Sequence, residues 1–214
     1  MLIPPSPIRA LPDRRTFLLG AGLALLGGRA LGETFAYKAW RFDVDKAAAP
    51  LPDALVRSLQ AQVDIVETVN LKPEIRLFFR GVPKSIVPTT PYGAGAYSFE
   101  RRQIFLSLQI DPPQNPVFLH ELLHAYHQQR LPGGLGNPRI IQFFEEATLS
   151  ARFPAQAYMF ANVAEFFAMC ASVVLWGRAA RPPSTRANVR LAMPDFYDWI
   201  VAQMTPNDSV TAPA

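Results

Sequence analysis

The three histidines of this 214-residue chain fall within one eight-residue segment, His120-Glu121-Leu122-Leu123-His124-Ala125-Tyr126-His127. On an α-helix, residues four apart lie one turn apart on the same face, so His120 and His124 can reach one metal ion. Apolar residues at positions 119, 122, 123 and 126 form a separate arc. The pattern predicts a helix with one face in the core and one toward a polar site. Asn115-Pro116 is expected to begin this helix and the segment 131–134 to end it.

The first five of these residues read His-Glu-x-x-His, a spacing typical of zinc-dependent peptidases. Two imidazoles then bind Zn²⁺, and the glutamate acts as general base on a metal-activated water. We therefore expect His120 and His124 as metal ligands, Glu121 as the base and Zn²⁺ as the cofactor. The competing interpretation is an amphipathic helix whose polar edge faces solvent.

A catalytic zinc needs a third protein ligand. The metzincin spacing requires a glycine at position 127 and a histidine at position 130, where this chain has His127 and Arg130. His127 lies two turns from His120, so we expect it to contact the metal ligands without binding the metal, or to line the rim of the site. The third ligand should then be a carboxylate further along the chain, and the candidates are Glu145, Glu146 and Glu165.

Glu165 is the most informative of these carboxylates. It is the only charge in the apolar segment 163–176, which should form a buried helix. A buried carboxylate is costly unless it is paired or binds a metal. Asn162 with Glu165 three residues later also resembles a capping box, in which the glutamate only caps the helix.

The segment Tyr158-Met159-Phe160-Ala161-Asn162-Val163-Ala164-Glu165-Phe166-Phe167-Ala168 resembles the second zinc motif of gluzincins similar to anthrax toxin lethal factor. The resemblance covers about residues 97–177 and is specific at the two motifs. It implies a zincin-like fold in which His120, His124 and Glu165 bind zinc and Glu121 is the base. It also implies that Tyr158 donates a hydrogen bond to the oxyanion. The chain has no room for the targeting domains of a toxin, so the substrate does not transfer.

Residues 1–32 read as an export signal. Arg14-Arg15 precedes a short apolar run and a stretch of small residues, which is typical of a twin-arginine leader cleaved after Gly32. An ordinary secretory signal and an uncleaved anchor are the alternatives. The sequence therefore predicts a periplasmic or secreted bacterial protein without a stable membrane span after cleavage.

Charge argues against nucleic acid as a partner. The leader holds four of the 21 basic residues and one of the 17 acidic residues, so the remainder has a net charge of +1 and no basic patch. Cys170 is the single cysteine, which excludes an internal disulfide.

The rest of the chain predicts one α+β domain at 33–205 and a disordered tail at 206–214. Strands are expected at 34–44, 74–80, 97–99 and 103–108, and helices at 52–71, 140–153, 162–177 and 193–204, besides the histidine helix. The sheet is expected to be small and antiparallel or mixed, ahead of a helical part.

We expect the strand before the histidine helix to lie at a sheet edge over the metal and to pair with an extended peptide substrate through Ile104, Phe105, Leu106 and Ser107. An ordinary core strand is the alternative. The predicted function is an exported zinc metallopeptidase. A non-catalytic zinc-binding scaffold, or a zinc hydrolase of a non-peptide amide such as a cell-wall component, stays open.

Overall fold

The computed structural model describes residues 31–210 of the chain, with side chains from residue 33 onward. Residues 1–30 of the predicted leader therefore lie outside the described residues, and so does the end of the predicted tail, 211–214. The ordered elements are β1 (Leu31–Tyr37), β2 (Trp40–Asp45), α1 (Asp53–Thr68), α2 (Pro73–Gly81), β3 (Lys84–Ile86), β4 (Gly95–Ser98), β5 (Gln103–Leu106), α3 (Val117–Gln129), α4 (Pro138–Ser150), α5 (Val163–Trp176), α6 (Arg186–Ala192) and α7 (Pro194–Met204).

The five strands form one mixed sheet in the order β1-β2-β3-β5-β4. The two outer pairs, β1 with β2 and β5 with β4, are antiparallel, whereas β2-β3 and β3-β5 are parallel. The sheet together with the helices confirms the α+β class.

The predicted strand 34–44 is a hairpin rather than one strand. Tyr37 pairs with Trp40 across a tight turn. Lys38 adopts a left-handed backbone at φ 51° in that turn, and its ammonium contacts Asp64 of α1 at 2.6 Å.

The prediction of a strand at 74–80 is wrong, because this segment is the helix α2. Ile75 and Phe79, four residues apart, are buried together, while Leu77 is exposed. Arg76 and Arg80 form ion pairs with Glu67 of α1. The apolar residues of this segment therefore mark the buried face of a helix and not one face of a β-strand.

The core lies between the sheet, α1, α3 and α5. Phe118 of α3 packs edge-on against Trp40 at 5.2 Å between ring centroids and also contacts Phe42 at 5.3 Å. On the other side, α3 packs along α5, whose Phe166 and Phe167 are fully buried. Packing between the sheet and α5 fixes α3 in the centre of the molecule and sets the position of its polar face.

Residues 206–210 of the predicted tail include a 3-10 turn at Pro206–Asp208, and Asn70 donates a hydrogen bond to the backbone oxygen of Ser209 at 2.9 Å.

Within residues 31–210, no helix has both the length and the hydrophobicity needed to cross a bilayer.

Candidate metal centre

The histidine helix begins at Val117, one residue after the predicted Asn115-Pro116 start, but its cap comes from elsewhere. Pro116 occupies the cap position without a side-chain hydrogen bond. Gln62 of α1 accepts a hydrogen bond from the Phe118 backbone N–H at 3.1 Å and donates one to the Asn115 carbonyl at 2.7 Å. A side chain 56 positions away thus satisfies a donor that the first turn would leave unpaired.

The third component of the site comes from the first turn of α5. Asn162 caps this helix, because its side-chain oxygen accepts the backbone N–H of Glu165 at 2.9 Å. The Glu165 carboxylate does not complete a capping box; it lies against His120 and His124 instead. The cap and the carboxylate therefore serve different purposes at one helix end.

The three side chains converge on one point. His120 Nε2 and His124 Nε2 are 3.0 Å apart. Glu165 Oε2 lies 3.2 Å from His120 Nε2, and Oε1 lies 3.4 Å from His124 Nε2. A tetrahedral ion with bonds of about 2.0 Å holds its ligands about 3.3 Å apart. The observed spacings match that edge length, so the cluster could hold a metal ion.

The hydrogen bonding of the cluster also fits a metal ion. Glu165 Oε2 is buried and lies 3.2 Å from His120 Nε2 without the geometry of a hydrogen bond, and it has no other partner among the described residues. A buried carboxylate oxygen without a partner is unfavourable, and coordination would satisfy it. The donor set of two imidazoles and one carboxylate is one that catalytic metal sites use.

The charges within the cluster favour an ionised Glu165. Burial opposes the charged carboxylate, but the imidazoles of His120 and His124 outweigh it and hold the pKa of Glu165 well below its usual range. Burial also disfavours a charged His120, yet the carboxylates of Glu165 and Glu121 raise its pKa. The site therefore presents a negative carboxylate to whatever binds between the rings.

Glu121 lies beside the cluster under strand β4. Its side chain is only 6% exposed, and this burial raises its pKa, while the backbone N–H of Tyr97 donates a hydrogen bond that partly offsets the effect. Gly95 passes so close that an added Cβ would stand 3.1 Å from both Cγ and Oε1 of Glu121. The absence of a side chain at position 95 leaves the space in which the glutamate lies.

Strand β4 is tied to α3 through Tyr97. Its hydroxyl donates to Gln128 Oε1 at 2.6 Å and accepts from Gln129 Nε2 at 2.8 Å. Gln128 in turn donates to the Phe99 carbonyl at 2.9 Å. The strand that overlies Glu121 is thereby fixed to the same helix that carries Glu121.

Tyr158 faces the site from a 3-10 turn, Tyr158–Phe160, that precedes α5. Its side chain is partly exposed, at 38%. Burial, the negative charges of Glu165 and Glu121, and a hydrogen bond to the Glu165 carboxylate raise the pKa of its hydroxyl, which therefore stays protonated and able to donate. The guanidinium of Arg181 lies 5.5 Å from the centre of its ring.

A cleft of about 380 Å³ opens over these groups. His120, Glu121 and Tyr158 line its floor and side, and residues 92–95 line the other wall. Tyr92 and Arg181, which sequence reasoning did not single out, stand at the cleft because of loop conformations that no local pattern specifies.

The other predicted ligands do not join the cluster. Glu145 and Glu146 are exposed on α4, and Glu146 accepts a hydrogen bond from Gln142. His127 is completely buried; its ring packs against Phe167 at 4.8 Å, and neither nitrogen has a hydrogen-bond partner among the described residues. It lies in the core, away from the rim of the cleft.

The expectation that Ile104–Ser107 lies at a sheet edge is wrong. Strand β5 pairs with β3 on one side and with β4 on the other, and Ile104, Phe105, Leu106 and Ser107 are buried. No backbone edge of this strand is free for a peptide. The outer strand on this side of the sheet is β4, which carries Gly95 and also lies against α3.

A scan of the sequence against known protein families finds no match, and a search of curated proteins finds no significant relative.

Proposed function

We propose that the protein is an exported zinc-dependent peptidase that hydrolyses peptide bonds with water. The observation that carries this proposal is the convergence of His120, His124 and Glu165 within 4.8 Å of one another, with the carboxylate of Glu121 beside them. The export part rests on the sequence of residues 1–32 alone.

Zinc suits the cluster better than Mg²⁺ or Ca²⁺. Mg²⁺ and Ca²⁺ prefer all-oxygen ligand sets with six or more positions, whereas two imidazole nitrogens and one carboxylate oxygen at tetrahedral spacing are typical of catalytic zinc. The same ligand set is what the resemblance to lethal-factor-type gluzincins implies. When bound, zinc polarises a substrate carbonyl and makes water more acidic.

The protein groups around the ion then divide the proton transfers. Glu121 is buried and has a raised pKa, so it is suited to accept a proton from the attacking water and to pass it to the leaving amine. Tyr158 keeps its phenolic proton and is placed to donate a hydrogen bond to the oxygen that becomes negative. One such donor contributes about 10²–10³ in rate.

Strand β4 offers a seat for an extended substrate. It pairs with β5 on one side only, and it runs directly over Glu121. An extended peptide that paired with the outer edge of β4 would bring a backbone carbonyl toward the cluster. Under this proposal the substrate-pairing role passes from Ile104–Ser107 to Gly95–Ser98, at positions other than Tyr97, whose backbone N–H is bonded to Glu121.

The test combines metal analysis with one isosteric substitution. The purified protein should contain one zinc per chain and cleave a mixed peptide library. Glu121→Gln should keep the zinc and lose at least about 10²-fold in kcat/KM, as expected for loss of a general base. Glu145→Gln, which alters an exposed carboxylate on α4, is the matched control and should behave as wild type.

Each result has a distinct meaning. Zinc without cleavage of any peptide would favour the scaffold, or a non-peptide amide as substrate, which cell-wall fragments would reveal. Equal rates for Glu121→Gln and wild type would show that this carboxylate is not the base.

A further inference from the structure

Arg181 is the only arginine or lysine among the described residues that line the cleft. It is exposed and forms no ion pair among the described residues, and its guanidinium lies over the ring of Tyr158. A guanidinium at the mouth of a cleft, without a carboxylate of its own, is available to a ligand.

The segment that carries Arg181 is well held. The Ser184 backbone N–H donates to the Arg181 carbonyl at 2.9 Å, and the Ala179 N–H donates to the Ser184 carbonyl at 2.8 Å. Arg186 anchors the following residues by donating to the Val174 and Leu175 carbonyls at 2.7 and 3.0 Å. The backbone at position 181 is therefore fixed relative to α5 and to Glu165 in its first turn.

The charge of Arg181 has no partner in the protein. No carboxylate of a described residue forms an ion pair with it, so Arg181 adds one positive charge to the wall of the cleft. Cleft walls focus such a charge and raise the local concentration of anions.

We propose that Arg181 is a specificity-determining residue that binds a carboxylate of the peptide substrate close to the scissile bond. The proposal rests on the peptidase function above. The carboxylate can belong to an aspartate or glutamate side chain or to the C-terminus of the peptide, since both present the same planar pair of oxygens to a guanidinium.

The experiment compares matched peptides. One acetylated, C-terminally amidated series carries glutamate, glutamine or lysine at each position around a cleaved bond, and a second series carries glutamine with a free or amidated C-terminus. Wild type should cleave a carboxylate-bearing peptide about tenfold better than its neutral match. Arg181→Ala should lose that preference, and Arg181→Glu should favour lysine instead.

Arg190→Ala is the matched control. Arg190 is also exposed and also lies over a tyrosine ring, Tyr197, at 5.6 Å, but it does not line the cleft. Binding provides a readout apart from turnover. In the Glu121→Gln background, calorimetry should show that Arg181→Ala weakens the acidic peptide about tenfold and leaves the neutral peptide unchanged.

The outcomes separate the two proposals. If wild type cleaves no peptide, the peptidase function fails and this inference falls with it. If wild type cleaves acidic and neutral peptides equally, only the inference is wrong. An equal loss of kcat on all peptides in Arg181→Ala would also overturn it, because Arg181 would then act through Tyr158 instead of selecting the substrate. The series that shows the preference identifies the source of the carboxylate.

Discussion

Gly95 controls where the Glu121 carboxylate can lie, and replacing it with alanine tests the arrangement of the site. The new Cβ would stand 3.0 Å from Val117 Cγ1 and 3.1 Å from Glu121 Cγ and Oε1. These separations are a few tenths of an ångström shorter than ordinary contacts of a Cβ atom. Glu121 is buried, so its carboxylate must shift by that amount or β4 must move away from α3.

Either response displaces the proposed base. A displacement of about 1 Å in a catalytic group costs about 10²-fold in rate, so a shift of a few tenths of an ångström should cost less, and an overpacked methyl group costs about 1–3 kcal/mol of stability. We therefore expect Gly95→Ala to keep its zinc, to lose about tenfold in kcat/KM and to unfold at a lower temperature. Steady-state kinetics, metal analysis and calorimetry measure the three quantities.

A control and a coupling measurement make this test specific. Gly81→Ala adds a methyl group where no atom lies within 4 Å and should leave rate and stability near wild type. In a Glu121→Ala background the two contacts with Glu121 disappear and only the contact with Val117 Cγ1 remains, so Gly95→Ala should cost less stability there than in wild type. Full activity of Gly95→Ala, or equal costs in both backgrounds, would refute the reasoning.

Two further predictions concern Glu165 and His127. Glu165→Gln removes the charge of a proposed ligand and should weaken zinc binding by more than about 100-fold, because losing even a supporting hydrogen bond costs about 10–100-fold. Chelator competition measures this, with Glu145→Gln as the control. Burial lowers the pKa of His127 to about 4 from 6.5, so the unfolded chain binds more protons between these values and stability falls as pH drops through that window. Between pH 7.5 and 4, His127 should therefore cost the metal-free protein about 3 kcal/mol of unfolding free energy, since each pKa unit is worth about 1.4 kcal/mol, and His127→Phe should not show this loss. Urea unfolding at both pH values measures the difference. An unchanged pH dependence in His127→Phe would contradict the prediction.

The local parts of the site could be predicted from sequence. The arcs of α3 follow from its 3.6-residue period, and the structure confirms a helix at Val117–Gln129. Glu165 could be chosen because it is the single charge in an apolar helix, and burial of that helix is itself a property of the pattern. The structure brings its carboxylate to the two histidines.

Pairings between distant segments could not be predicted in the same way. The strand β3 has only three residues, Lys84–Ile86, too few for a visible period, yet it separates β2 from β5. The chain order alone therefore misplaced the edge of the sheet. The cap that Gln62 supplies to α3 and the contact of Gly95 with Glu121 depend equally on packing between elements.

His127 shows why helical angle alone does not identify a ligand. Seven residues at 100° each bring it within about 20° of His120 around the helix axis, closer in angle than His124 at about 40°. The two histidines differ in their distance from His120 along the helix axis, since seven residues rise about 10.5 Å and four residues rise about 6 Å. Glu165, in the first turn of α5, meets only the first two imidazoles. Two residues later, Phe167 packs on the ring of His127. The crossing of α5 over α3 therefore places one histidine of the three in the core and the other two beside Glu165, where a metal ion could bind.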